Sequence, residues 1–336
     1  MYERLISWVE DIKTRNHSSG AALFIIKDNQ TVLEHYSGAQ SNSPDANPVS
    51  SSTRFNIASA RKSYLGLAAA YAVYEGNIGS LDDLAVDYFP QYDRKLLGGT
   101  TIRHLITHSH GLHETEGGIP FREFPPGEDW AYRGINILMM TELMERLYGK
   151  SFPQLLKERV FDPLGFSETA WEIKPCENLA EVIMNPAERA ISKLGKTANG
   201  MESNLFVSAK ELALWGNLHL NMGKADGKQI VPREVIELAA TIQSPSYKNK
   251  DLPQNGFFWF VQGEPAAQSE LGERVPRGSY QILGVTGPTV LVIPEHNAVV
   301  VKMYNKRYNY GGSNYLHYLR EFSNLAADCL KGEKVR

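Results

Sequence analysis

Apolar residues Leu5, Ile6, Trp8, Val9 and Ile12 recur at helical spacing near the start of the chain. This is the buried stripe of an amphipathic helix. The period then changes. Ala21 to Lys27 and Thr31 to Tyr36 are β-rich runs joined by Asp28-Asn-Gln30, which predicts a hairpin. Residues 39–53, rich in Ser, Asn, Asp and Pro, predict a surface loop. The middle of the chain reads as helical over 63–75, 101–108, 135–148, 152–160, 209–221 and 232–240. The first of these stops at Gly76 to Gly79, glycines suited to closing a helix. The end returns to β-branched and aromatic runs at 257–262, 289–293 and 298–304, with Pro294 to Asn297 turning between the last two. Residues 315–330 close the chain as a helix with Leu316, Leu319, Phe322, Leu325, Ala326 and Cys329 on one face.

Strands near both termini with helices between them predict an α+β architecture. Short turns favour antiparallel pairing. One sheet is expected from both chain ends, with the terminal helices on one face and a mostly helical lobe inserted on the other. The boundaries expected are 1–62 with 250–336 for the sheet lobe and 63–249 for the helical lobe. The cleft between them is the natural place for a ligand.

Composition narrows the function. The chain has 336 residues, 35 Lys+Arg against 38 Asp+Glu, and a net charge of −3. That balance offers no positive excess to hold nucleic acid or an anionic membrane. Two cysteines cannot make a disulfide framework, so a reducing compartment is the default. Acidic residues at 3, 10 and 11 do not fit an export signal, and no apolar stretch reaches the ~18 residues of a membrane span. A cytoplasmic location is expected.

The chemistry concentrates at Ser59-Ala-Arg-Lys62, which follows a strand-like stretch at 53–57 and opens the helix of 63–75. One turn brings Ser59 and Lys62 to the same face. A serine hydroxyl needs a base to become a nucleophile, and a lysine serves only if its pKa is lowered. A helix start also offers N–H groups to developing negative charge. The other reading is an N-capping serine beside a solvated lysine. Tyr132, in Pro125 to Tyr132, could relay a proton beside such a pair, or pack as a turn aromatic.

Taken in order, Phe55 to Lys62, Leu81 to Asp83, Thr101 to His108, Pro126 to Tyr132, Ala198 to Ser203 and Gly256 to Trp259 resemble the serine β-lactamase and penicillin-recognising family. The resemblance is to its branch of class C β-lactamases, esterases, D-aminopeptidases and 6-aminohexanoate-dimer hydrolases, over residues 20–305. It implies a β-lactamase/transpeptidase-like fold with Ser59 as nucleophile, Lys62 as proton-shuttling amine and Tyr132 as phenol. It also implies an acyl-enzyme cleared by water, with no metal or organic cofactor. The third family motif, with its substrate and oxyanion contacts, falls on Val285, Thr286 and Gly287, and Thr289 is the expected substitute donor after Pro288.

Three positions depart from the family pattern. Tyr132-Arg-Gly134 lacks the usual amide or hydroxyl side chain, Val285 stands where a cation or imidazole is usual, and Pro288 has no N–H to offer an oxyanion. His104, His108, His110 and His113 are read as structural rather than as metal ligands. The function expected is a serine hydrolase acting on a small ester or amide, with weak or no β-lactam turnover. The alternative is a β-lactamase-fold protein that serves as a binding or regulatory module. Neither nucleic acid nor membrane is expected as a partner.

Overall fold

The computed structural model describes residues 2–184, 193–307 and 314–332. Elements used below are numbered in chain order. Helix α1 (Glu3–Asn16) leads into strands β1 (Gly20–Lys27) and β2 (Gln30–Gly38), the hairpin expected. Strand β3 (Arg54–Asn56) precedes a tight 3₁₀ turn at Ala58–Arg61 and helix α2 (Lys62–Tyr74). Helix α3 (Ile135–Tyr148), strands β4 (Thr169–Trp171) and β5 (Leu205–Ser208), and helix α4 (Ala209–Leu220) follow. The chain returns to the sheet in β6 (Phe260–Val261), β7 (Tyr280–Leu283), β8 (Thr289–Ile293) and β9 (Ala298–Tyr304). Helix α5 (Tyr315–Lys331) ends it.

The main sheet has six strands in the order β6-β7-β8-β9-β1-β2, antiparallel throughout. The last strand of the chain therefore pairs with the first, Phe24 opposite Val301. Side chains alternate across this sheet. Leu23, Ile25, Leu291, Ile293 and Val300 pack under α1 and α5 with Leu5, Val9, Ile12 and Phe322. Phe24, Ile26, Val290, Val292, Val299 and Val301 face the other way, into the core shared with α2 and α4. Each fully buried Leu, Val or Phe adds on the order of 1.5–3 kcal/mol. Both faces of the central strands are covered, which is why β1 reads as an apolar run up to Lys27 and β9 as one broken only by Lys302. A smaller sheet, β3-β5-β4, holds the stretch that leads to Ser59.

One element falls short of its expectation. The run 257–262 pairs only at Phe260 and Val261. Before that point Phe257 and Phe258 donate their N–H groups to Ala239 and Ile106 of the helical block, and Phe258 takes φ 67°. Their rings are buried there, so packing in the lobe overrides β propensity. Among the described residues no helix is long and apolar enough to cross a membrane.

Candidate active site

From 53 to 72 every residue is buried except Ser59. The chain reaches it through Ala58, a non-glycine residue at φ 44°. Such a conformation costs energy and persists only where the surroundings impose it. Here Asn56 Oδ1 accepts from the Ala58 N–H at 3.0 Å, and Asn56 Nδ2 donates to the Ser203 carbonyl at 2.8 Å. Ser59 therefore stands on a kinked turn at the head of a buried helix, its hydroxyl open to a cavity of about 390 Å³.

Lys62 and Tyr132 line the same cavity. Lys62 Nζ sits 3.6 Å from the centre of the Tyr132 ring. Burial holds its pKa well below the ordinary lysine range, the Arg61 charge adds to this, and Glu270 opposes it. The Tyr132 hydroxyl shares a hydrogen bond with Ser59, and burial pushes the phenol up. The tyrosine is fixed from several sides. The Ala131 N–H donates to the His108 carbonyl at 3.0 Å, Trp130 Nε1 donates to Asn255 Oδ1 at 2.8 Å, and Arg133 pairs with Glu123 at 2.6 Å. The His108 ring stacks beneath Tyr132 at 4.8 Å and is kept neutral by burial.

The four histidines do separate jobs. His104 completes a capping box with Thr101, His108 supports Tyr132, His110 Nδ1 accepts from the Leu112 N–H, and His113 lies against Phe121. Among the described residues no three His, Cys, Asp or Glu gather as a metal site.

The structure thus brings Ser59, Lys62 and Tyr132 together, and sets the third-motif residues apart from their cavity. Val285 is 36% exposed on the turn between β7 and β8. The Thr286 hydroxyl donates to the Asn56 carbonyl at 2.6 Å, pinning that turn beside the serine loop. The Gly287 carbonyl and the Thr289 hydroxyl both accept from Lys302 Nζ, at 2.9 and 2.8 Å. Thr289 shares a sheet face with Leu291, which looks toward the terminal helices. Pro288 offers its carbonyl to the Gly284 N–H at 2.8 Å.

That last bond sets the direction of a different donor. Alternate residues of an antiparallel strand bond to opposite neighbours. Gly284 bonds toward β8, and Ser279 toward β6 through the Gln262 N–H. Leu283 therefore points its N–H toward β6. Phe258 would stand opposite Leu283 if β6 continued in register, but β6 begins only at Phe260. The described β6 pairing does not reach this point, and the serine loop packs beside it at Gly284. A Cβ on Gly284 would lie 2.2 Å from the Ile57 carbonyl oxygen, so only glycine admits the approach.

Two further residues had no signal in the sequence. Glu270, on the loop between β6 and β7, has a buried Oε2 without a hydrogen-bond partner among the described residues, and burial raises its pKa to about 8 against the pull of Lys62 and Lys302. Arg61 is 8% exposed and lines the cavity with Ser59.

A serine on a kinked turn, an amine and a phenol, set beside a sheet built from both chain ends, make a candidate site for serine acyl transfer. The Beta-lactamase family matches residues 5–322, and the chain belongs to that family, whose members are mostly serine hydrolases. An uncharacterised protein of Alkalihalophilus pseudofirmus is 44% identical over 312 residues, covering 93% of this chain and 91% of its own. A beta-lactamase of Escherichia coli K12 is 23% identical over 309 residues, 78% of each. Among solved structures, EstCE1, a hydrolase with promiscuous acyltransferase activity, superposes with TM-score 0.77 at 19% identity over 96% of this chain and 98% of its own.

Proposed function

We propose that the protein hydrolyses small esters or amides through an acyl-enzyme on Ser59. The observation that carries this reading is that the one unburied residue in the stretch 53–72 shares a hydrogen bond with Tyr132 and a cavity with a lysine of depressed pKa. In this mechanism the neutral Lys62 amine receives the Ser59 proton, directly or through the Tyr132 hydroxyl. The Ser59 Oγ attacks the carbonyl carbon, and the oxygen takes up negative charge between the N–H groups of Ser59 and Leu283. Collapse breaks the bond to the leaving group, which takes the stored proton. A water then repeats the sequence on the acyl group and frees Ser59. Acid–base groups of this kind are worth ~10²–10⁴ in rate, and each oxyanion donor ~10²–10³.

With Leu283 as second donor, the site has two N–H groups for the oxyanion despite Pro288. Val285 and Gly134 still lack the side chains that would hold a β-lactam, so β-lactam turnover is weak or absent on this reading. Those same two positions favour the second reading, a binding or regulatory module on the same fold. Steady-state hydrolysis of 4-nitrophenyl acetate separates the two. The hydrolase reading expects turnover that disappears in Ser59→Ala and falls ~10²-fold or more in Lys62→Ala. Undiminished turnover in Ser59→Ala would place the chemistry elsewhere.

A further inference from the structure

Arg61 occupies the third position of the Ser-x-x-Lys motif, and its surroundings are unusual for a guanidinium. It is 8% exposed, yet none of the described acidic groups pairs with it. Its Nε donates to the Glu202 carbonyl at 3.1 Å, which fixes the plane of the fork, and among the described residues neither terminal nitrogen has an acceptor. Arg133, the other guanidinium on the cavity, is held in two bonds by Glu123. Glu114 lines the same cavity and makes no ion pair among the described residues. A buried, unpaired cation is costly to keep, and a planar fork fits a carboxylate in two parallel bonds.

We propose that Arg61 is the receptor for a carboxylate carried by the substrate, so that the preferred substrate is an anionic ester or amide whose carboxylate reaches into the Ser59 cavity. This rests on the reading of Ser59 as the nucleophile. It also gives a use to two departures from the family pattern. Val285 removes the cation expected on the β7–β8 turn, and Arg61 supplies one from the helical side. Gly134, where a Cβ would meet nothing within 4 Å, leaves the space beside Tyr132 open for the anionic arm. The chemistry at the carbonyl is unchanged. Arg61 forms no covalent bond and moves no proton.

Matched acyl donors test this. Mono-(4-nitrophenyl) glutarate and 4-nitrophenyl valerate differ in one terminal carboxylate. The wild type is expected to favour the glutarate by at least ~10-fold in kcat/KM, the size expected of bonds to a charged group. In Arg61→Gln that ratio is expected to fall toward one. Removing the Arg61 charge also raises the Lys62 pKa and slows both donors, and the ratio cancels that shared effect. In Arg61→Lys, which keeps the charge without the fork, the ratio is expected to fall in between.

A wild type with no preference overturns the proposal with no variant needed. So does a preference that survives in Arg61→Gln. Glutarate binding to Ser59→Ala, followed by calorimetry, stands apart from turnover. If neither ester is hydrolysed, the hydrolase reading fails, and glutarate binding that is lost on adding Arg61→Gln still upholds the carboxylate site. Absence of binding overturns it.

Discussion

Residues 58–62 carry most of the candidate site, and each is controlled by its environment rather than its type. Ser59 is accessible because Ala58 adopts a left-handed conformation inside a buried stretch. Lys62 is a candidate base because burial and then Arg61 disfavour its charged form, with Glu270 pulling the other way. This ordering predicts a pH effect. The neutral amine is the active form, so kcat/KM falls as pH drops through the Lys62 pKa. Glu270 carries its charge only above its own raised pKa of about 8 and there favours the protonated amine, so in Glu270→Gln the Lys62 amine stays neutral to lower pH across that range. The acidic limb of the pH–rate profile is expected to move to lower pH in Glu270→Gln. A limb that stays put, or moves up, would show that Glu270 is not coupled to the base. The Ser59, Lys62 and Tyr132 triplet was legible in the sequence because spacing and motif order are local properties. Glu270 was not, since its role depends on a loop folding back beside a helix more than 200 positions earlier in the chain.

At the scale of elements, helices and strands with a clear period appear where the pattern puts them: α3 covers 135–148, β8 289–293 and β9 298–304. The run 257–262 has strong β character and yet is mostly not strand, because its aromatic rings are buried among helices. That failure bears on function. A full-length β6 would pair with Leu283, and the short one stops before reaching it. The oxyanion contacts are hard to read from sequence for a related reason. Turn glycines are conspicuous in a sequence, whereas the N–H that faces the cleft depends on strand register.

Two substitutions separate these alternatives. Gly284→Ala puts a methyl 2.2 Å from the Ile57 carbonyl oxygen, which cannot swing away. It is expected to cost about 1–3 kcal/mol in stability and to lower kcat/KM at least ~10-fold by displacing Ser59 from Leu283. Pro288→Ala restores an N–H in a turn whose carbonyl already bonds Gly284, and is expected to leave acylation within about two-fold, well short of a full oxyanion donor's ~10²–10³. A large gain in Pro288→Ala, or an unaffected Gly284→Ala enzyme, would return the donor to the turn.

The molecule as a whole places its site where a helical block meets a sheet made by the two chain ends. A larger cavity, about 530 Å³ near Asn29 and Asn217, has no serine–lysine pair on its walls. The core that joins sheet and lobe carries a pH liability of its own. His219 on α4 is fully buried between Trp215 and Trp259, donates to the Trp215 carbonyl at 2.8 Å, and has its pKa lowered by burial to about 4. The unfolded chain protonates this group near 6.5. As pH falls from 6.5 to about 4 the unfolded state gains a proton that the folded state does not, and stability is lost. Chemical denaturation of His219→Phe is expected to show a shallower loss over that window, by at most about 1.4 kcal/mol per pH unit. Equal slopes would mean that His219 is not held neutral.

The central claim is that Ser59 is the residue that becomes acylated, and the mass of the intact protein after exposure to a fluorophosphonate reports on it most directly. The account predicts one adduct per chain, mapped by peptide analysis to Ser59. It also predicts no adduct on folded Ser59→Ala and slowed labelling in Lys62→Ala. An adduct on another residue, or an unlabelled wild type that still turns over 4-nitrophenyl acetate, would contradict it.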